Sequence, residues 1–181
     1  MYISIMPDNH YLVPNQLQGF EKNISQRIVM QFIDDAEDRF VGAKEKMLDV
    51  ASWCKYYNAT GFDLILTDSH GKTLHRRAHK GDHIRIYVNG SVQTSGSDWM
   101  VQALEYDDYP DEDKEAFAMR IVPVDADKND RPAANNDHSA TLVIERVRKN
   151  LEASFHSRNE ATLALGLSDE QWQSLVKGWV G

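Results

Sequence analysis

Lys72, His75, Arg76, Arg77, His79, Lys80, His83 and Arg85 fall within one short stretch of a chain whose formal net charge is −8. A local patch of one sign focuses anions, phosphate and carboxylate groups above all. The plainer alternative is a solvated face balanced by the acidic stretches 107–113 and 125–130. Arg76, Arg77, Lys80, His83 and Arg85 are the candidate ligand contacts from this cluster.

A second constellation sits near the end of the chain. On an alternating strand Glu152, Ser154, His156 and Arg158 project to one face, opposite Leu151, Ala153 and Phe155. With Glu145 on the neighbouring strand, a carboxylate, an imidazole and a guanidinium on one wall of a cleft can move protons or hold an anion. The same pattern describes the wet side of an antiparallel sheet, which leaves one face in water. Glu152, His156 and Arg158 therefore join the candidate ligand-binding residues, and no residue is assigned a catalytic role.

Three further motifs carry less. His75, His79 and His83 share parity, and imidazole is the commonest transition-metal ligand, yet Gly81 breaks the strand and no fourth ligand stands nearby. The run 125–130, DADKND, spaces oxygen ligands as a calcium loop does. It has Asp130 where that loop needs Gly and Asn136 where it needs a bidentate Glu. Cys54 lies near a helix C-terminus, which does nothing to lower a thiol pKa, and reads as packing. No metal or cofactor is assigned.

The elements that position these residues follow from periodicity. Phe62, Leu64 and Leu66 alternate with Asp63, Ile65 and Thr67, which predicts a strand. Asp68-Ser69-His70-Gly71 supplies a turn, Thr73 to Ala78 returns as a second arm, and Ile84, Ile86 and Val88 line a third strand after Gly81-Asp82. Ahead of this meander, residues 1–20 form an irregular arm. Ile24 to Ile33 fits both a helical stripe and one face of a strand, and is read as helix. A firmer helix spans Asp35 to Tyr57, with Phe40, Met47, Ala51 and Cys54 near one face and 58–61 ending it.

After the meander, 89–98 is a Gly-, Ser- and Asn-rich loop. Trp99 to Tyr106 and Ala116 to Val124 are antiparallel strands across an acidic turn at Pro110, and 125–137 is a polar loop. Thr141 to Val147 and Leu151 to Ser157 make a hairpin. Ser168 and Gln171 form a capping box, and Trp172, Leu175, Val176, Trp179 and Val180 follow as a full apolar stripe, which either closes the domain's own sheet, the preferred reading, or docks in another protein's groove.

Several of these runs together resemble an uncharacterised family of bacterial proteins with no known activity. They are EDRFVGAKEKMLDVASW (37–53), LTDSHGKTLHRRAHKGDHIRI (66–86), DWMVQALEYDDYPDE (98–112), ATLVIERVRKNLEASFHSRNE (140–160) and QWQSLVKGW (171–179). The resemblance implies one unit over most of the chain and brings no substrate or cofactor.

At 181 residues the chain is long enough to bury a core and fits a single domain, 21–181, behind the arm. Its acidic balance argues against nucleic acid as a partner. One cysteine excludes an internal disulfide and suits a reducing compartment. No signal peptide or apolar span is present, so the expectation is a cytoplasmic protein that meets no membrane. The expected fold is α+β: an antiparallel sheet of six or seven strands, barrel or sandwich, with helical segments before it and an amphipathic helix after it. A helix-grip, START-like arrangement is one such order. The expected function is a non-catalytic binding module for a protein partner or a small anionic ligand. The alternative is a small enzyme or START-like carrier whose cleft uses His156 and Glu152.

Overall fold

The computed structural model describes residues 12–17, 20–56, 62–88, 91–92, 98–124, 138–160 and 167–181. In chain order the elements are β1 (Phe20–Val29), α1 (Ile33–Leu48), a 3₁₀ turn (Val50–Ser52), α2 (Trp53–Tyr56), β2 (Phe62–Thr67), β3 (His83–Val88) and β4 (Ser91–Val92). They continue with β5 (Asp98–Tyr109), a 3₁₀ turn (Pro110–Glu112), β6 (Lys114–Pro123), β7 (Ser139–Val147), β8 (Asn150–Glu160) and α3 (Asp169–Val180). The strands form one antiparallel sheet in the order β1-β8-β7-β6-β5-β3-β2, with β4 paired to β3. The class is the expected α+β, and the sheet is a single layer.

That sheet curls around its helices. Laid flat, β1 and β2 would stand about 29 Å apart at a spacing near 4.8 Å per strand. Yet α2 packs on β2 and α3 on β1, while Trp53 of α2 and Trp179 of α3 meet at 5.2 Å between ring centroids. Both edges therefore close on one core. With α3 gripped in the hollow, this is the helix-grip order of elements.

Aromatic side chains from α2, α3 and β8 meet in the hollow. Phe155 stacks on Trp172 at 4.2 Å and 15°, and Trp53 meets Trp172 edge-on at 6.5 Å. All five residues of the apolar stripe on α3 are buried. The capping box forms as its spacing demands: Ser168 N–H donates to Gln171 Oε1 at 2.8 Å and Gln171 N–H to Ser168 Oγ at 3.2 Å.

Three segments depart from the periodicity reading. Residues 24–29, read as helix, belong to β1, where Ile24 lies beside Phe155 and Ile28 beside Leu151. Tertiary pairing selected the period of two, because only that register sends both isoleucines into the hollow. The expected Asp35–Tyr57 helix is instead α1 and α2 joined by the 3₁₀ turn. Trp53 Nε1 donates to the carbonyls of Lys46 at 3.2 Å and Met47 at 3.0 Å, so the indole satisfies the end of α1 and the chain bends there.

Residues 73–78 do not form a strand. The turn before them is the expected one: Asp68 accepts from the N–H groups of His70 and Lys72, both at 2.9 Å, and Gly71 takes φ 84°. After Leu74 N–H donates to Leu66 O at 2.8 Å, the chain leaves the sheet and Ala78 N–H donates to Leu48 O at 2.9 Å. The reason is that β2 pairs directly with β3, from Phe62 opposite Val88 to Thr67 opposite His83, which leaves no place for a strand between them. Segments 58–61, 93–97 and 125–137, and with them the calcium-like spacing, lie outside the described residues.

Candidate functional site

The loop 68–82 lies across the second half of α1, and an open cleft of about 760 Å³ runs between them. Its lining includes Glu45, Lys46, Asp49, Lys55, His75, Arg76 and Arg77. Lys46 and Asp49 come from the end of α1, Lys55 from α2, and His75 to Arg77 from the loop. Four cationic side chains thus meet two carboxylates.

Two interactions hold the loop there. Arg76 grips Asp82 with Nη1 to Oδ2 at 2.6 Å and Nη2 to Oδ1 at 3.0 Å, and Oδ2 also accepts from His79 N–H at 2.7 Å. Gly81, at φ 93°, allows the reversal that brings Asp82 round. Arg77 pairs through Nε with Glu45 on α1. That leaves the outer edge of its guanidinium, 63% exposed as a side chain, facing the cleft. Arg76 is therefore a positioning residue, while Arg77, Lys55 and His75 present exposed groups.

Lys46 is committed elsewhere. Its Nζ donates to the carbonyl oxygens of Gly178 at 3.3 Å and Gly181 at 3.2 Å, and Arg39 Nη1 to Gly181 O at 2.9 Å. Two cations thus neutralise the negative end of α3. Burial and the neighbouring Arg39 both push the Lys46 amine below the usual lysine range.

The remaining members of the basic cluster diverge. Arg85 is locked to Asp98, its cross-strand neighbour on β5, by Nε to Oδ1 and Nη2 to Oδ2, both at 2.9 Å. The side-chain hydrogen bonds to Asp98 drive its pKa above the usual arginine value, so the charge is permanent and spent. His83 is buried in β3, Lys80 is exposed at the loop's far bend, and His75 and His79 sit on the loop with no shared strand. Among the described residues no three His, Cys, Asp or Glu side chains come together as metal ligands.

The β8 constellation lies on the outer face of the sheet, away from this cleft, with Glu152 and His156 partly exposed and the other two members buried. Ser154 and Arg158 are 4% and 6% exposed. Part of that face is covered by residues 12–17, whose Leu12 and Val13 pack on Ala116, Ala118 and Val143. Glu152 is bridged by Arg27 of β1 at 3.0 and 3.1 Å, and Arg158 Nη1 donates to Ser157 O at 2.8 Å.

His156 lies between Ser154 Oγ, 2.9 Å from Nε2, and Asn23 Oδ1, 2.7 Å from Nδ1. This is the hydrogen-bond order of a serine relay. A relay also needs N–H groups free to receive an oxyanion. Here β8 is hydrogen-bonded on one side to β1 and on the other to β7 across Ser154, which ties up the strand's N–H groups. The arrangement satisfies a buried hydroxyl.

Cys54 is half-buried, and desolvation with nearby Asp63 pushes its thiol up to about 11. Such a thiol stays protonated and is a poor nucleophile.

Sequence reasoning named Arg76 and Arg77 and missed Lys46, Lys55 and Asp49 beside them. The missing signal was tertiary, since nothing in the α1 pattern says which loop will cross it.

No protein-family model matches the chain, and no curated protein matches it. Among solved structures it is similar to protein CV1439 from Chromobacterium violaceum, at 15% identity over 87% of this chain and 94% of that one, TM-score 0.42. It is also similar to truncated norcoclaurine synthase from Thalictrum flavum, at 9% identity over 92% and 96%, TM-score 0.41. A third is the ginseng major latex-like protein 151 from Panax ginseng, at 8% identity over 89% and 93%, TM-score 0.37. Among the described residues no helix is long and apolar enough to cross a membrane.

Proposed function

We propose that the chain is a non-catalytic binding module whose site is the cleft between α1–α2 and the loop 68–82, and whose ligand is a small anion. The observation that carries this reading is the convergence of Lys55, His75 and Arg77 on an open cleft of about 760 Å³ in a protein of formal net charge −8. Four cations line the cleft against two carboxylates, so a bound carboxylate or phosphate meets a net positive field. The Arg76–Asp82 clasp supports the same reading, because it orders the loop before a ligand arrives and so lowers the entropic cost of binding.

We also place the protein in the cytoplasm, where a single half-buried thiol stays reduced.

Titrating isotope-labelled protein with inorganic pyrophosphate tests the site. Backbone amide shifts are expected to cluster at 45–55 and 75–77. Shifts confined to the outer face of β8, or no saturable shifts at all, would reject it.

A further inference from the structure

Beside the apolar patch that Leu12 and Val13 cover, the outer face of the sheet carries a second, polar cluster. On β7, Ala140, Leu142 and Ile144 belong to the core, so Ser139 and Thr141 stand on the opposite face. Thr141 lies between Arg120 of β6 and His156 of β8, and Ser139 lies beside Arg158. Such neighbours stand about 5 Å apart across strands and about 7 Å apart along one, within reach of a long arginine side chain. The cluster therefore borders one spot.

Three donors are left over there. Arg120 Nε, Ser139 Oγ and Thr141 Oγ1 are enclosed and find no hydrogen-bond partner among the described residues. Ser139 is 4% exposed and Thr141 0%, so bulk water does not serve them. Arg120 spends only Nη2, on Leu12 O at 2.7 Å. Among the described residues no carboxylate pairs with it, and that includes Glu105, its diagonal neighbour on β5. Arg158 Nη1 donates to the carbonyls of Ser157 at 2.8 Å and Lys22 at 3.4 Å, and Glu21 stays 3.8 Å from its Nε. His156 is committed to Ser154 and Asn23.

An enclosed donor without an acceptor costs stability, and a partly buried cation without a counter-charge costs more. A water molecule satisfies the hydroxyls but leaves the guanidinium charge unbalanced. An anion accepts from all three donors and balances that charge as well. The cover of residues 12–17 limits its size.

We propose that Arg120, Ser139 and Thr141 form a binding site for a small monovalent anion, a halide in chemical class, held between the sheet and residues 12–17. The ion meets the same guanidinium that anchors Leu12 O, so it fastens that segment to the sheet. This site is separate from the cleft at α1 and does not depend on it.

The test is thermal unfolding of the full chain as sodium chloride replaces sodium gluconate at constant ionic strength, since gluconate is too bulky for an enclosed site. Tm is expected to rise along a saturating curve, by about 3–6 °C once chloride exceeds its Kd tenfold. The Lys55→Glu/Arg77→Glu chain, altered only in the cleft, is expected to keep the whole rise. Thr141→Val preserves the shape of the side chain and removes its donor, and is expected to at least halve the rise; Arg120→Gln is expected to abolish it. No saturable rise in the unaltered chain, a rise lost with the cleft variant, or a full rise in Thr141→Val overturns the proposal. Should circular dichroism show Thr141→Val unfolded, Ser139→Ala replaces it with the same expectation, and a full rise there overturns the proposal equally.

Discussion

Arg76 clasps Asp82 through two hydrogen bonds, at 2.6 and 3.0 Å, and so closes the residues between them into a rigid bend over the end of α1. Asp82 is 6% exposed and also holds His79 N–H. Replacing it with Ala strands that amide and the guanidinium. Asp82→Ala is expected to cost about 1–3 kcal/mol in urea unfolding, with hydrogen exchange at His79 accelerated first. Unchanged exchange at His79 would show that the clasp does not order the loop.

Arg146 is the most enclosed ion-pair member at the other end of the sheet. Its guanidinium, 5% exposed, contacts Glu115 at 2.8 Å and Asp113 at 2.9 Å. Arg146→Met leaves those carboxylates without their cation and is expected to cost about 3–5 kcal/mol in denaturant unfolding. Pairing it with Glu115→Leu is expected to recover part of that loss. A double variant as unstable as the sum of the two single ones would contradict the pairing.

Trp172 joins α3 to the sheet through its stack on Phe155. Trp172→Ala is expected to cost about 3–5 kcal/mol from lost transfer and the cavity left behind. Ser168→Ala removes one cap bond and is expected to cost about 1 kcal/mol. Thermal unfolding of both variants checks the ratio, and a cap variant as damaging as the tryptophan variant would show that local signals rather than packing hold α3.

The Cys54 thiol gives a pH dependence of known sign. Burial raises its pKa from 9.0 to about 11 in the folded chain, so the folded state holds the proton more tightly than the unfolded one. The stability this contributes is complete below pH 9 and is lost as pH rises toward about 11. Reaction of the native protein with a disulfide reagent is expected to be slow at pH 8 and to rise with a midpoint near 11. A midpoint at the ordinary thiol value would mean that the group is not shielded.

How far the sequence carried the fold can be traced through particular residues. The α3 stripe and its capping box were legible because both are local: Ser168, Gln171 and the five apolar residues after them specify a helix with one buried face wherever it docks. Ile24 to Val29 was not legible, since its pattern serves either period and only pairing with β8 decides. Likewise, Thr73 to Ala78 has the look of a returning strand and is drawn off the sheet by Ala78 N–H reaching Leu48 O and by the Arg76–Asp82 clasp. The candidate site was half legible for the same reason. Arg76 and Arg77 stand out in the chain, but Lys55 reaches them only through the crossing of loop and helix. On β8 the alternation correctly set Ser154, His156 and Arg158 opposite Phe155, and what it could not show was residues 12–17 lying over that face.

The most direct measurement on the cleft is calorimetric titration with inorganic pyrophosphate at low and moderate salt, for the unaltered chain and for Lys55→Glu/Arg77→Glu. Both replaced side chains are exposed, but Arg77 also pairs with Glu45, so hydrogen exchange at His79 in the variant first establishes that the loop keeps its place. The unaltered chain is expected to bind one pyrophosphate saturably, with affinity falling as salt screens the exposed charges, and the variant at least tenfold more weakly. Equal affinity in the two chains, or no saturable heat in the unaltered one, would contradict an anion site in the cleft.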